Sequence, residues 1–189
     1  MELINAHEPV NRIFDVVEIG SLSTDERVAF FMRAFNSVFL KCEDNAIKTM
    51  AAWSSGFPKI MHLIGDTVYW NHADGDVVTS AETSDGIREA SEIIGRKYFE
   101  PNVLHALQGK DYISILKKVA DILNKSWRTV FTRTELKSTL SPKEELKLDN
   151  FLNRMKKIHA ITPTGIKGEY RIINNMIFMY IVLKFSSTN

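Results

Sequence analysis

"WSSGFPKIMHLIG", residues Trp53 to Gly65, sets a Gly-Phe-Pro turn immediately before a lysine and a run of apolar side chains. The small residues Ser54, Ser55 and Gly56 stop one helix, and Pro58, with its fixed φ and missing N–H, opens the next. Ile60, Met61, Ile64 and Val68 recur at helical spacing, so the new helix is expected to bury that face. Lys59 then falls in the first helical turn, where a cation meets the positive end of the helix dipole. Something acidic nearby would help explain a solvated lysine at that position.

Upstream, "STDERVAFFMRAFNSVFL" starts at Ser23 with Glu26 three residues on, the spacing of a capping box. Val28, Phe31, Met32, Phe35, Val38 and Phe39 are expected on its buried face. A second helix is expected from about Asp44. Before both, Ile13–Ile19 reads as a short strand ended by Gly20, which cannot form a sheet alone. Downstream, "NHADGDVV" reads as a polar turn. A fourth helix is expected from Ser80 or Thr83, running over Ile87–Phe99 and stopping before Pro101.

The remainder restarts with "DYISILKKVADILN", an amphipathic helix using Ile113, Leu116, Val119, Ala120 and Leu123. A short helix from Thr132 follows, and then a longer one capped at Ser141-Pro142, with Leu148, Phe151, Leu152, Met155 and Ile158 inward. Ala160–Pro163 and Glu169–Ile173 are extended runs joined across "TGIKG", where Gly165 and Gly168 suit a hairpin tip. "NNMIFMYIVLKF" ends the chain as an apolar element, helix or strand. Three helices and a hairpin in this order predict a winged helix-turn-helix domain.

Charge divides the chain. Met1–Glu100 holds 9 Lys and Arg against 16 Asp and Glu, a net −7, whereas Pro101–Asn189 holds 15 against 7, a net +8. The split predicts two modules with different partners, the basic one being the candidate for nucleic acid. Apolar runs are too short for a membrane span, and the start is not a secretory signal. One cysteine, Cys42, excludes an internal disulfide and suits a reducing cytoplasm, which is the expected location. Its expected role is a small side chain at a loop edge. There is no GxxxxGK[ST] loop, GxSxG elbow, HExxH pair or Cys–His cluster, so neither a catalytic residue nor a metal site is expected. His62 and Asp66 share a helix face but lack a third ligand.

"FDVVEIGSLSTDERVAFFMRAF" followed by "CEDNAIKTMAAWSSGFPKIMHLIGDTVYW" resembles the end of the ATPase core and the helical lid of AAA+-type ATPases, archaeal and bacterial ones similar to origin-binding initiators. Val16–Ile19 matches the family's last core strand, Ser21-Leu22-Ser23 its "pLs" element, and Ser55-Gly56-Phe57-Pro58 its "sGxP" turn. "GEYRIINNMIFMYIVLKF" is similar to the family's winged-helix ending. The resemblance implies a mainly α fold: a core tail over residues 1–22, a four-helix lid over 23–100, and a winged helix with a small β-hairpin wing over 101–189. It also implies an upstream ATPase core carrying the P-loop. ATP and Mg would belong to that parent, with neither expected on this chain alone.

In that family the turn and third lid helix often place an arginine against the γ-phosphate. Lys59 occupies the matching position beside Gly56 and Pro58; it supplies charge without an arginine's bidentate fork. Nucleotide sensing is the role so implied, in a parent that couples ATP binding and hydrolysis to DNA or to a remodelled partner.

For the winged helix, Lys143, Lys147, Asn150, Arg154 and Lys157 on the third helix, Arg133 and Lys137 on the second, and Lys167 and Arg171 on the wing are the candidate contacts to duplex DNA. Glu144, Glu145 and Asp149 near the start of the third helix oppose phosphate and leave a protein partner open. A free-standing winged-helix transcription regulator and a protein-interaction module are the alternatives.

Overall fold

Ser23 caps the first helix as its spacing predicts. Its hydroxyl accepts from the Glu26 N–H at 3.3 Å, and the Glu26 carboxylate accepts from the Ser23 N–H at 2.8 Å. Two donors at the helix start, otherwise unpaired, are thereby satisfied. The computed structural model describes residues 21–73 and 75–187. The strand expected over Ile13–Ile19, Val16–Ile19 included, lies outside the described residues.

Four helices follow: α1 (Thr24–Ser37), α2 (Asp44–Trp53), α3 (Pro58–Asn71) and α4 (Ser80–Ile94). Phe31 and Phe35 of α1 are buried as expected, but Met32, Val38 and Phe39 are not, Phe39 being 93% exposed. The periodic stripe overran the helix. Val38 is already the C-cap, and Phe39 turns left-handed at φ 61°, which swings its ring away from the core. The turn redirects the chain into β1 (Lys41–Cys42), which pairs in parallel with β2 (Val77–Val78). The segment read as a polar turn therefore carries a short strand. Helix α4 starts at Ser80, the first of the two expected positions, and Thr79 caps it in a second capping box with Glu82.

The fourth helix does not stop before Pro101. It widens into a π-helical turn over Gly95–Phe99 and runs on as α5 (Glu100–Ala106). Pro101 falls in the first turn of α5, directly after the π-helical turn. A Cβ on Gly95 would lie 2.1 Å from the Tyr180 ring, so the absence of a side chain there is what lets the last helix approach.

The second unit comprises α6 (Lys110–Ser126), β3 (Val130–Thr132), α7 (Arg133–Lys137), α8 (Pro142–Glu145), α9 (Leu148–Lys157), β4 (Ile161–Pro163), β5 (Glu169–Ile172) and α10 (Asn175–Phe185). The sheet order is β3-β5-β4, antiparallel throughout, with Phe131 opposite Tyr170 and Ile161 opposite Ile172. The helix expected from Ser141 onward is broken at Leu146-Lys147. There the Lys147 N–H closes a tight turn on the Glu144 carbonyl at 2.9 Å. The Glu144 side chain is drawn inward to Lys118 and Ser141. Leu148, Phe151, Leu152 and Met155 still line one buried face.

Two hydrophobic cores result. One gathers Phe31, Phe35, Met50, Met61, Ile64, Val68 and Ile87 between α1 and α4; the other gathers Leu116, Val119, Leu123, Phe131, Phe151, Met155 and Ile172. Helix α10 belongs to both, giving Met176 to the first and Phe178, Tyr180 and Ile181 to the second. Trp53 packs against both cores and stacks on Phe178 at 6.3 Å. Among the described residues, no helix is long and apolar enough to cross a membrane.

Candidate functional site: a braced turn and its cleft

The turn that ends α2 is held from three sides. Ser55 and Gly56 are both left-handed, at φ 53° and 77°. The Leu22 N–H donates to the Gly56 carbonyl at 2.9 Å. The contact is so close that a Cβ on Gly56 would lie 2.5 Å from the Leu22 carbonyl oxygen. The carbonyls left open at the end of α2 are also satisfied. Arg27 and Ser54 donate to the Ala51 carbonyl at 3.0 and 2.8 Å, and the Asn175 side-chain amide donates to that of Ala52 at 3.0 Å. Residues from α1 and α10 thus fix one turn. Pro58 follows at the first position of α3, with Lys59 next to it and no acid in the first turn.

No acid pairs with Lys59 among the described residues. Its ammonium instead lies 4.6 Å from the centre of the Tyr98 ring, and the Lys97 ammonium lies 5.6 Å from the same ring. A ring face attracts a cation without supplying an opposite charge. Hydrogen bonding and charge from Lys59, with a smaller effect from Lys97, hold the Tyr98 phenol below its ordinary value. Among the described residues no carboxylate pairs with either lysine. Both stand on a cleft of about 550 Å³ whose walls include Ile60, Leu63, Ile93 and Ile177. Asn174, from the turn before α10, also lines it.

Three of the basic candidates of the second unit are held in ion pairs. Arg133 forms a two-pronged pair with Asp149, Lys137 meets Glu145 at 2.6 Å, and Lys147 meets Asp111. Arg154 donates to the Ala106 carbonyl at 2.6 Å with its guanidinium over Tyr112. Lys143, Lys157, Lys167 and Arg171 are exposed and make no ion pair among the described residues, and Asn150 is exposed as well. Leu146, 86% exposed, and Ile166, 65% exposed, sit on the same unit, at the helix break and the hairpin tip.

The fold is similar to that of part of a Walker-type ATPase. Over 85% of this chain and 42% of the other, it matches the Walker-type ATPase paby2304 of Pyrococcus abyssi with a TM-score of 0.59 and 19% identity. The chain therefore spans less than half the length of that protein. No family model and no curated protein matches the chain.

Chemically, the turn can present a cation at a fixed place, but among the described residues nothing assembles around it to break or form a bond. Nor does any group of three or more His, Cys, Asp or Glu side chains there gather to hold a metal. Burial pushes the Cys42 thiol up to about 11, which keeps it protonated at neutral pH. Sequence reading found Lys59 but missed Lys97, Tyr98 and Asn174. The signal lay in the pair "KY" at the end of the fourth helix, where only the fold brings it opposite Lys59.

Proposed function

We propose that this chain is the lid and winged-helix part of an ATPase of the Walker type, AAA+-like in organisation, acting with an upstream core that binds ATP and Mg. The observation that carries the reading is the braced Ser55–Pro58 turn. It sits on Leu22, at the point where the chain would leave such a core, and it sets Lys59 at the start of a helix with no paired acid. In this reading residues 23–100 form the lid and 101–189 the winged helix. Lys59 reaches the nucleotide's terminal phosphate, where a fixed cation stabilises the charge of phosphoryl transfer. Gly56 and Pro58 set its position. The site of action is the cytoplasm.

For the winged helix, Lys143, Lys157, Lys167 and Arg171 support contact with duplex DNA through phosphates. The pairing of Arg133, Lys137, Lys147 and Arg154 argues against base-specific reading by those four. A second reading, a protein docked through the winged helix, is favoured by the exposure of Leu146 and Ile166. Titrating the chain against duplex DNA at two salt concentrations separates the two. Contact through phosphates predicts binding that weakens with salt and a log–log slope reduced by about 1 for each cation removed among Lys157, Lys167 and Arg171. Absence of binding even at low salt would remove DNA and leave the protein partner.

A further inference from the structure

Two like charges on one aromatic ring repel, and among the described residues no carboxylate forms an ion pair with either. Lys59 and Lys97 approach Tyr98 from different elements, the start of α3 and the π-helical turn. The N-cap of α3, Phe57, offers no side-chain acceptor to the first N–H groups of the helix, so the same corner carries the positive end of its dipole. The one carboxylate lining the cleft, Asp66, accepts instead from the Trp70 indole N–H at 3.1 Å. Behind this corner the cleft has an aliphatic wall of Ile60, Leu63, Ile93, Ile94 and Ile177, with His62 also on its lining. Its volume, about 550 Å³, falls in the range of roughly 300–1,000 Å³ in which proteins hold small molecules. A bare inorganic anion would use the lysines and leave the aliphatic wall exposed. A neutral apolar molecule would leave the two charges uncompensated.

We propose that this cleft binds an anion carrying an apolar body, an acyl or aryl carboxylate, sulfonate or phosphate. Lys59 and Lys97 hold the charged group, and Ile60, Leu63, Ile93 and Ile177 hold the body. Because Ile177 and Asn174 come from the last helix and the turn before it, the ligand touches both units and favours their seated arrangement. The proposal shares Lys59 with the nucleotide-sensing role but needs no ATPase core, and Lys97 belongs to it alone.

The probe is 8-anilinonaphthalene-1-sulfonate, titrated by fluorescence into the 189-residue chain. N-phenyl-1-naphthylamine, the same body without the charge, and inorganic tripolyphosphate, a charge without the body, are run alongside. The expected result is one saturable sulfonate site per chain, weakened about tenfold in Lys97→Ala, the loss of one charged hydrogen bond, and further in Lys59→Ala/Lys97→Ala. Circular dichroism of the variants, both changed at exposed side chains, confirms that they are folded. Equal affinity of the neutral probe, or sulfonate binding unchanged in the double variant, overturns the role of the lysines. Tripolyphosphate binding as tightly as the sulfonate overturns the role of the aliphatic wall. If Lys97→Ala weakens the probe while Lys59→Ala leaves ATP turnover of the core-bearing protein unchanged, the cleft stands and the sensing role falls.

Discussion

Replacing Gly56 by alanine strains the chain in two separable ways. Holding an L-residue at a left-handed φ of 77° costs about 1 kcal/mol. The added methyl then lies 2.5 Å from the Leu22 carbonyl oxygen and 2.9 Å from its nitrogen. These are backbone atoms and cannot rotate aside. Relief requires Leu22 to move, which breaks the 2.9 Å bond from the Leu22 N–H to the Gly56 carbonyl. That loss adds about 1 kcal/mol, and the displaced backbone adds about 1 more. Gly165 is the control: its φ is also positive, at 91°, but nothing lies within 4 Å of its ideal Cβ. Both substitutions reduce unfolded-chain entropy equally, so that contribution cancels between them. Urea unfolding followed by circular dichroism and tryptophan fluorescence, with the two probes required to coincide, should give about 3 kcal/mol lost for Gly56→Ala and about 1 for Gly165→Ala. Equal losses in the two variants would refute the docking of the turn on Leu22.

Gly95→Ala drives a methyl into the Tyr180 ring and should cost about 3 kcal/mol, read in the same urea experiment; a loss below 1 would mean that α10 is not seated there. Glu144 bears on acid stability. Burial raises its pKa, but hydrogen bonds from Lys118, Ser114 and Ser141 win and hold it at about 2. A carboxyl depressed on folding contributes stability that is complete above its ordinary value and lost as pH falls through the folded one. The stability gap between the native chain and Glu144→Gln should therefore shrink from pH 5 down to pH 2, by no more than about 3 kcal/mol. A gap independent of pH would contradict the assignment. Cys42, pushed up to about 11 from an ordinary 9.0, should react with iodoacetamide at pH 8 roughly a hundredfold more slowly folded than in urea. Similar rates in the two states would place that thiol in water.

Local chemistry was legible where neighbours in sequence do the work. The Ser23–Glu26 capping box, the Gly56–Pro58 turn and the hairpin glycines Gly165 and Gly168 need only residues a few positions apart. What was hidden depends on distant partners. Strand β3 is three residues long and exists because β5 pairs with it. The break at Leu146-Lys147 follows from Glu144 being drawn inward by Lys118, which no periodicity shows. Pro101 reads as a stop, yet a π-helical turn carries the helix past it. The counterpart of Lys59 is an aromatic ring on another helix rather than an acid nearby, so the cleft could not be drawn from the stretch that contains half of it. That Arg133, Lys137 and Lys147 pair with Asp149, Glu145 and Asp111 was equally hidden, because each partner is distant in sequence.

ATP hydrolysis by a polypeptide joining this chain to the ATPase core proposed for it, compared with the same protein bearing Lys59→Ala, bears on the account most directly. A lysine facing the terminal phosphate predicts turnover reduced by about tenfold or more with nucleotide binding largely kept. Turnover equal to that of the unaltered protein would contradict it.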